Sequence, residues 1–264
     1  MSGKENSTAS LHSVSSNGGY STNYPVSKVQ TTGDGNEFVV IGNKKYYRHE
    51  LMSAFSGALE PGAHPANSHQ IANPAPVGLV AFGVSTLVMS LYGIHAADIM
   101  VPNVAVALAF FFGGVGQVTS GIWEMVHGNT FGANALTSFG CFWFSYGAIM
   151  TPSFGVLEAY HDEPHQLKNA LGFYLMGWAI FAFICLTLTL KSAVSFIALF
   201  IFIFFTFFLQ AIGDIFVLPN CTLAGNYFGI FTALAGFYNA FVGMANKQNS
   251  YFQVSEFPIA NFKK

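Results

Sequence analysis

Charge is what this chain has least of. Asp, Glu, Lys and Arg together make up 8% of its 264 residues, and the formal net charge is −2. Arginine occurs once, at Arg48. Between Asn73 and Asn246 the only basic residues are Lys168 and Lys191, and the acids are Asp98, Glu124, Glu158, Asp162, Glu163 and Asp214. A soluble domain of this length needs a polar shell that is missing here. A nucleic-acid partner is excluded too, because neutralising phosphates takes clustered Lys and Arg. Cysteine is scarce: Cys141 and Cys185 lie in apolar runs and Cys221 in a loop, which is too few for a disulfide framework. No HExxH or GxSxG motif occurs, and the eight histidines, among them His95, His127, His161 and His165, are scattered. A metal enzyme or an intramembrane protease needs its ligands or nucleophile gathered at one depth. Neither an enzymatic activity, a metal nor a cofactor is expected.

What is present is apolar. Hydrophobic residues make up 52% of the chain, Phe alone numbers 29, and the mean hydropathy is +0.46. The few charges divide residues 73–246 into six blocks, each long enough to cross a bilayer as a helix at ~20 residues per span. The expected fold is an all-α membrane protein with six transmembrane helices. The spans read as Val77–Ile94, Asn103–Met125, Ala133–Ile149, Ala170–Leu190, Ser192–Ile212 and Leu223–Ala245. Pro102, Gly128, Gly132, Pro152 and Pro219 punctuate their ends. Lys191-Ser192 predicts a tight hairpin between the fourth and fifth. Six spans put both termini on one side, with Lys44, Lys45, Arg48, Lys191, Lys247, Lys263 and Lys264, so that side is expected to be cytoplasmic. The sequon Asn220-Cys-Thr222 then faces outward, too close to the membrane to be glycosylated.

Outside the spans, residues 1–36 are rich in Ser, Asn and Gly and are expected to form a disordered cytoplasmic tail. The tail lacks the basic start and apolar run of a secretory signal, so the first span is expected to direct insertion. Residues 37–72 form a pre-membrane segment with a strand-like piece, Phe38 to Ile41, and a candidate amphipathic helix from His49 to Leu59. Tyr46, Tyr47, Leu51, Phe55 and Leu59 would dock it at the interface. The six-helix transmembrane domain covers 73–247 and a short cytoplasmic tail 248–264.

Within the spans the candidates for a solute path are polar. Asn73 is placed to cap the first helix, with Pro74 and Pro76 in a first turn where their missing N–H groups cost nothing. That end carries the positive pole of the helix and suits a small anion. Ala105, Ala109, Gly113 and Gly121 form a small-residue stripe on span two, as Gly225, Gly229 and Ala233 do on span six, and both suit close helix packing. Gln117 interrupts the first stripe with an amide that needs a partner or a wet path. Glu124, Asn129 and Asn239 are further polar candidates, with helix ends and helix–helix adhesion as the plainer explanations.

Several ordered motifs then carry a resemblance: Ala72-Asn-Pro-Ala-Pro-Val-Gly-Leu79, Gly121-Ile-Trp-Glu124, Gly128-Asn-Thr-Phe-Gly132, Phe142-Trp143, Leu171-Gly-Phe-Tyr174 and Tyr238-Asn-Ala-Phe-Val-Gly243. From about Glu37 to Tyr251 the chain resembles the acetate uptake transporter family, which includes the bacterial succinate–acetate permease and fungal proteins associated with acetate uptake and ammonia export. The resemblance implies a plasma-membrane homo-hexamer in the lipid bilayer, with a pore in each six-helix protomer. It implies transport of acetate and other short monocarboxylates, in some members succinate, as an anion channel or with protons. The family signature maps onto Asn73, Pro74, Ala75, Pro76, Gly78 and Leu79, with Val77 in place of Leu. Its apolar constriction of Phe, Tyr and Leu maps onto Phe82, Phe139 and Ile203. Polar positions along the path would be Asn73, Ser85, Thr86, Gln117, Glu124, Asn129, Ser138 and Asn239. Two other readings remain open: a non-conducting sensor or scaffold that signals through the Ser-rich tail, and an exporter of ammonia.

Overall fold

The structure is a computed structural model that describes residues 30–41, 44–54, 72–254 and 257. They fall in two compact units divided at Gln70 and Ile71.

In the first unit, three short antiparallel strands, β1 (Gln30–Thr32), β2 (Phe38–Ile41) and β3 (Lys44–Tyr47), form a sheet in the order β1-β2-β3. Phe38 pairs with Tyr47 and Val40 with Lys45. The Phe38 and Tyr47 rings lie 4.8 Å apart, and Lys45 Nζ sits 3.8 Å above the Phe38 ring. The strand expected at Phe38–Ile41 is present. β1 lies in the stretch read as tail, and Tyr46 and Tyr47, expected as docking residues ahead of the helix, belong to β3. The helix that follows is α1 (Arg48–Ala54); the remainder of the expected His49–Leu59 helix falls outside the described residues.

The second unit is a bundle of long helices. These are α2 (Ala75–Gly93), a segment running from α3 (Asn103–Leu108) through a π-turn (Ala109–Gly114) to α4 (Val115–His127), α5 (Thr130–Met150), α6 (Pro164–Thr189), α7 (Val194–Ile215) and α8 (Pro219–Met244). Most boundaries agree with the expected spans. α6 and α8 each start earlier, at Pro164 and Pro219, because proline is favoured in a first helical turn, where its missing N–H has no partner to lose. The π-turn was not foreseen. Gly128, at φ 83°, ends α4 in the left-handed conformation that glycine adopts without strain. Asn129 then caps α5, its Oδ1 accepting from Gly132 N at 3.0 Å.

Among the described residues, five helical segments are long and apolar enough to cross a membrane: Ala75–Gly93, Asn103–His127, Pro164–Thr189, Val194–Ile215 and Pro219–Met244. Six were expected. α5 has the length, at 21 residues, but Asn134, Thr137, Ser138, Ser145, Trp143 and Tyr146 dilute its hydropathy. Helix α7 packs between α6 and α8, α8 on α2, α2 on α4, and α4 on α5. The small-residue stripes lie in these contacts: Ala105, Ala109, Gly113 and Gly121 are buried, as are Gly225, Gly229 and Ala233. Gly121 lies against Thr137, and Gly229 against Ser90. The bundle's outer surface is apolar, with Phe111, Phe173 and Leu234 exposed, as suits a lipid solvent.

Candidate functional site: two chambers meeting at an aromatic ring

The signature segment supplies the first wall. Pro74, rather than Asn73, occupies the cap position of α2, and Pro76 lies in the first turn. Asn73 is exposed one residue ahead, where its Oδ1 accepts from Ala75 N at 3.2 Å. Ser120 Oγ on α4 donates to the Pro74 carbonyl at 2.6 Å. That bond ties the signature to α4 and sets Gly78 against Ser120 and Leu136, where any Cβ would lie 2.8 Å from both side chains. The glycine thus lets α2 close on α4 and α5, and Leu79 and Phe82 turn inward on the same face.

Among the cavities of the described residues, two meet inside the bundle, and a third, of about 410 Å3, lies at one end of it beside His95, Lys168 and Asp214. The larger of the two that meet, of about 350 Å3, opens at the end where α2, α5 and α7 begin; Ala75, Gln117, Asn129, Phe131 and Ser192 contribute to its wall. The smaller, of about 50 Å3, lies deeper toward the other end, between Thr86, Ser90, Trp143, Thr206, Gln210 and Thr232. Phe82 and Ile203 line both cavities. Phe139 joins them in the larger wall, its ring centroid 6.1 Å from that of Phe82. All three are buried. Phe139 also stacks on Phe207 (6.2 Å, 7° between planes) and meets Phe181 edge-on at 5.3 Å. Phe207 in turn meets Phe142 at 5.0 Å. An apolar, largely aromatic partition therefore stands where the two chambers meet.

Sequence reasoning missed Phe207, Phe142 and Phe200 in this partition. On α7, Phe200, Ile203 and Phe207 follow helical spacing, but Phe and Ile surround that helix on every side, so the inward stripe has no contrast in sequence. It also missed Ser90, Thr206, Gln210 and Thr232, the polar wall of the small chamber. Thr206 and Thr232 lie 3.1 Å apart across α7 and α8, and Gln210 Nε2 donates to Asn226 Oδ1 at 3.0 Å. Such spacing on two separate helices becomes visible only once they are packed.

The predicted polar positions divide. Gln117 and Asn129 line the larger chamber and Thr86 the smaller. Asn73, Ser85, Glu124, Ser138 and Asn239 lie outside both walls. Asn239 is buried and saturated: its Oδ1 accepts from Ser195 Oγ at 2.8 Å, and its Nδ2 donates to the Ser195 and Ala235 carbonyls at 3.2 and 2.8 Å. Its bonds clamp α8 to the start of α7. Glu124 is 1% exposed, with Oε2 unpartnered near Gly132. Gln117 Oε1, Ser85 Oγ and Trp143 Nε1 are likewise buried without a partner. No group of His, Cys, Asp and Glu fit to hold a metal occurs among the described residues. Neither Lys168 nor Lys191 lines either chamber. The two cavities thus carry amides and hydroxyls in their walls and share apolar side chains where they meet.

The chain is similar to several known proteins. The chain is 44% identical over 260 residues to Ammonia transport outward protein 2 of Saccharomyces cerevisiae, covering 98% of this chain and 89% of that one. It is 40% identical over 226 residues to Acetate permease A of Emericella nidulans, covering 81% and 75%. The solved structure of the bacterial acetate channel SatP superposes with a TM-score of 0.61 at 31% identity, covering 68% of this chain and 96% of that one. Acetate permease A and SatP are named as a transporter and a channel, not as enzymes. The GPR1/FUN34/yaaH family profile matches residues 55–261, and the chain, a multi-pass membrane protein by its apolar helices, belongs to that family.

Proposed function

We propose that this chain conducts acetate and other short monocarboxylates across a membrane through the two chambers, with Phe82, Phe139 and Ile203 as the constriction. The observation that carries the reading is that Phe82 and Ile203 line both cavities, so a solute moving between them must pass these side chains. An apolar constriction gates by dewetting, and an ionised carboxylate faces a high desolvation cost there. The acid therefore crosses most readily when it is short, or when it is protonated in transit. Gln117 and Asn129 serve the approach from the wide chamber, and Thr86 the exit. In this reading α5 is the sixth span, since it carries Phe139 and packs on α4. Both termini lie in the cytoplasm of a plasma-membrane protein. Residues 1–36 and 248–264 flank the transport domain as tails, and six copies assemble as the family resemblance implies.

Labelled-acetate uptake into liposomes, with an internal pH dye and a clamped potential, tests this. Uptake driven by potential alone identifies an anion channel, and uptake that carries protons a symporter. No flux above empty liposomes from folded protein overturns the reading and leaves a sensor or scaffold. Export of ammonia is a second reading, favoured by the similarity to Ammonia transport outward protein 2. A neutral ammonia molecule passes an apolar ring without the cost a charge incurs, and ammonia flux in the same liposomes measures it.

A further inference from the structure

The third cavity is walled in part by two loops, the α2–α3 connection through His95 and the α7–α8 turn through Val217. Both loops hold backbone that their residues do not favour. Val217 sits at φ 54°, in the left-handed region, where a β-branched side chain is a genuine outlier. In the α2–α3 connection His95, Ala97 and Asp98 sit at φ 56°, 51° and 57°. Six non-glycine residues with positive φ occur among the described residues, and four of them are in these two loops. Strain of this kind persists only where the surroundings hold it, and it gathers at switch regions.

What holds these loops lies one helical turn beneath them. Gln210 on α7 donates through Nε2 to Asn226 Oδ1 on α8 at 3.0 Å. Gln210 belongs to the wall of the small chamber. One turn further along α7, Gly213 and Asp214 belong to the wall of the third cavity, as do Thr222 and Leu223 one turn before Asn226 on α8. The amide pair therefore stands between the two cavities. Gly93, the last residue of α2 and part of the third cavity's wall, lies against the Asn226 side chain, and Gly213 lies against Thr222. Three helix ends thus close on one pair of amides. The strain of one left-handed residue and the worth of one hydrogen bond are of the same order. A closed arrangement with the bond made and Val217 strained is accordingly close in energy to an open one with the bond broken and the turn relaxed.

We propose that the Gln210–Asn226 pair is a gate between the small chamber and the third cavity, and that the α7–α8 turn at Val217 is its hinge. Hinges are a few loop residues that absorb a change in φ and ψ, and Val217 stores that change in the closed arrangement. This gate is distinct from the Phe82, Phe139 and Ile203 constriction, which lies on the other side of the small chamber. What passes it rests on the transport reading; whether it opens does not.

The test is the labelling of one thiol in the small chamber. Cys141, Cys185 and Cys221 are replaced by Ser in the full-length protein, and Thr232→Cys supplies the thiol. A membrane-impermeant methanethiosulfonate is applied from the side on which native Cys221, beside Asn220 and Thr222 of the third cavity, is labelled. Slow labelling is expected, as the gate is closed for most of the time. Adding Gln210→Ala is expected to raise the rate about fivefold, the loss of one hydrogen bond. Adding Val217→Gly is expected to lower it, since glycine adopts the left-handed region without strain and so favours the closed arrangement. A general loosening of the bundle would not move the two variants in opposite directions. Labelling of Thr232→Cys as fast as that of Cys221 overturns the gate, as does an unchanged rate with Gln210→Ala. If Gln210→Ala does not fold, Val217→Gly decides alone, and an unchanged or raised rate overturns the proposal. Labelling is read whether or not acetate flux occurs, so absence of flux counts against the transport reading instead.

Discussion

At the scale of single residues, two kinds of buried polar group serve different ends. Asn239 has its amide saturated within the protein, so it acts as a clamp between α7 and α8. We predict that Asn239→Leu lowers the thermal midpoint, at about 1 kcal/mol for each interhelical hydrogen bond lost, and leaves the half-saturation for acetate unchanged. An altered half-saturation at unchanged stability would restore Asn239 to the path. The ring residues should behave in the opposite way. Phe82→Ala removes the side chain that lines both chambers, and we predict faster entry of propionate and butyrate relative to acetate in competition uptake. Unchanged selectivity would place the barrier elsewhere. Phe139→Tyr adds a hydroxyl to the ring and is expected to alter flux in a conductor but not in a scaffold.

At the scale of helices, close approach depends on glycine. At Gly225 a Cβ would lie 2.7 Å from Gln210 Cγ and 3.0 Å from the Gln210 backbone nitrogen. The backbone cannot yield as a flexible side chain can. We predict that Gly225→Leu separates α8 from α7 at a cost of about 1–3 kcal/mol, the usual range for overpacking, and disturbs the Gln210–Asn226 bond that closes the small chamber. Thermal unfolding in detergent measures the first effect and acetate uptake the second. Wild-type values for both would show that the two helices can part without consequence. The start of α7 has a further support, since Val194 N donates to the Phe257 carbonyl at 3.0 Å, which joins the C-terminal segment to this bundle.

At the scale of the whole molecule, the distribution of charge bears on orientation in the membrane. The scarcity of Lys between Asn73 and Asn246, set against Lys44, Lys45, Arg48 and Lys247, is the ground on which we propose cytoplasmic termini under the positive-inside rule. With Cys141 and Cys185 replaced by Ser, a membrane-impermeant maleimide applied to intact cells is expected to label Cys221, and Asn220 to carry no glycan. Labelling only after permeabilisation would reverse the topology and with it the side on which the wide chamber opens.

The chain's apolar blocks, charge map and Pro/Gly punctuation determined that it is helical, that it lives in a bilayer and, to within a few residues, where most helices run. These signals are local: a helix in lipid satisfies its backbone internally, so composition and spacing suffice to place it. Gln117, Asn129 and Thr86 could be named as polar exceptions for the same reason, and the family resemblance led to Phe82, Phe139 and Ile203. Three matters were decided only by the tertiary structure. Packing separated Asn239, which is satisfied by Ser195, from Trp143, which is satisfied by nothing, although both sit in apolar runs. It selected the inward stripe of α7 from a helix whose every face is Phe or Ile. It also brought Ser85, Gly113 and Trp143, from three different helical segments, to one point. Partners that meet across helices leave no period in the sequence of any single helix, which is why the small chamber could not be read there.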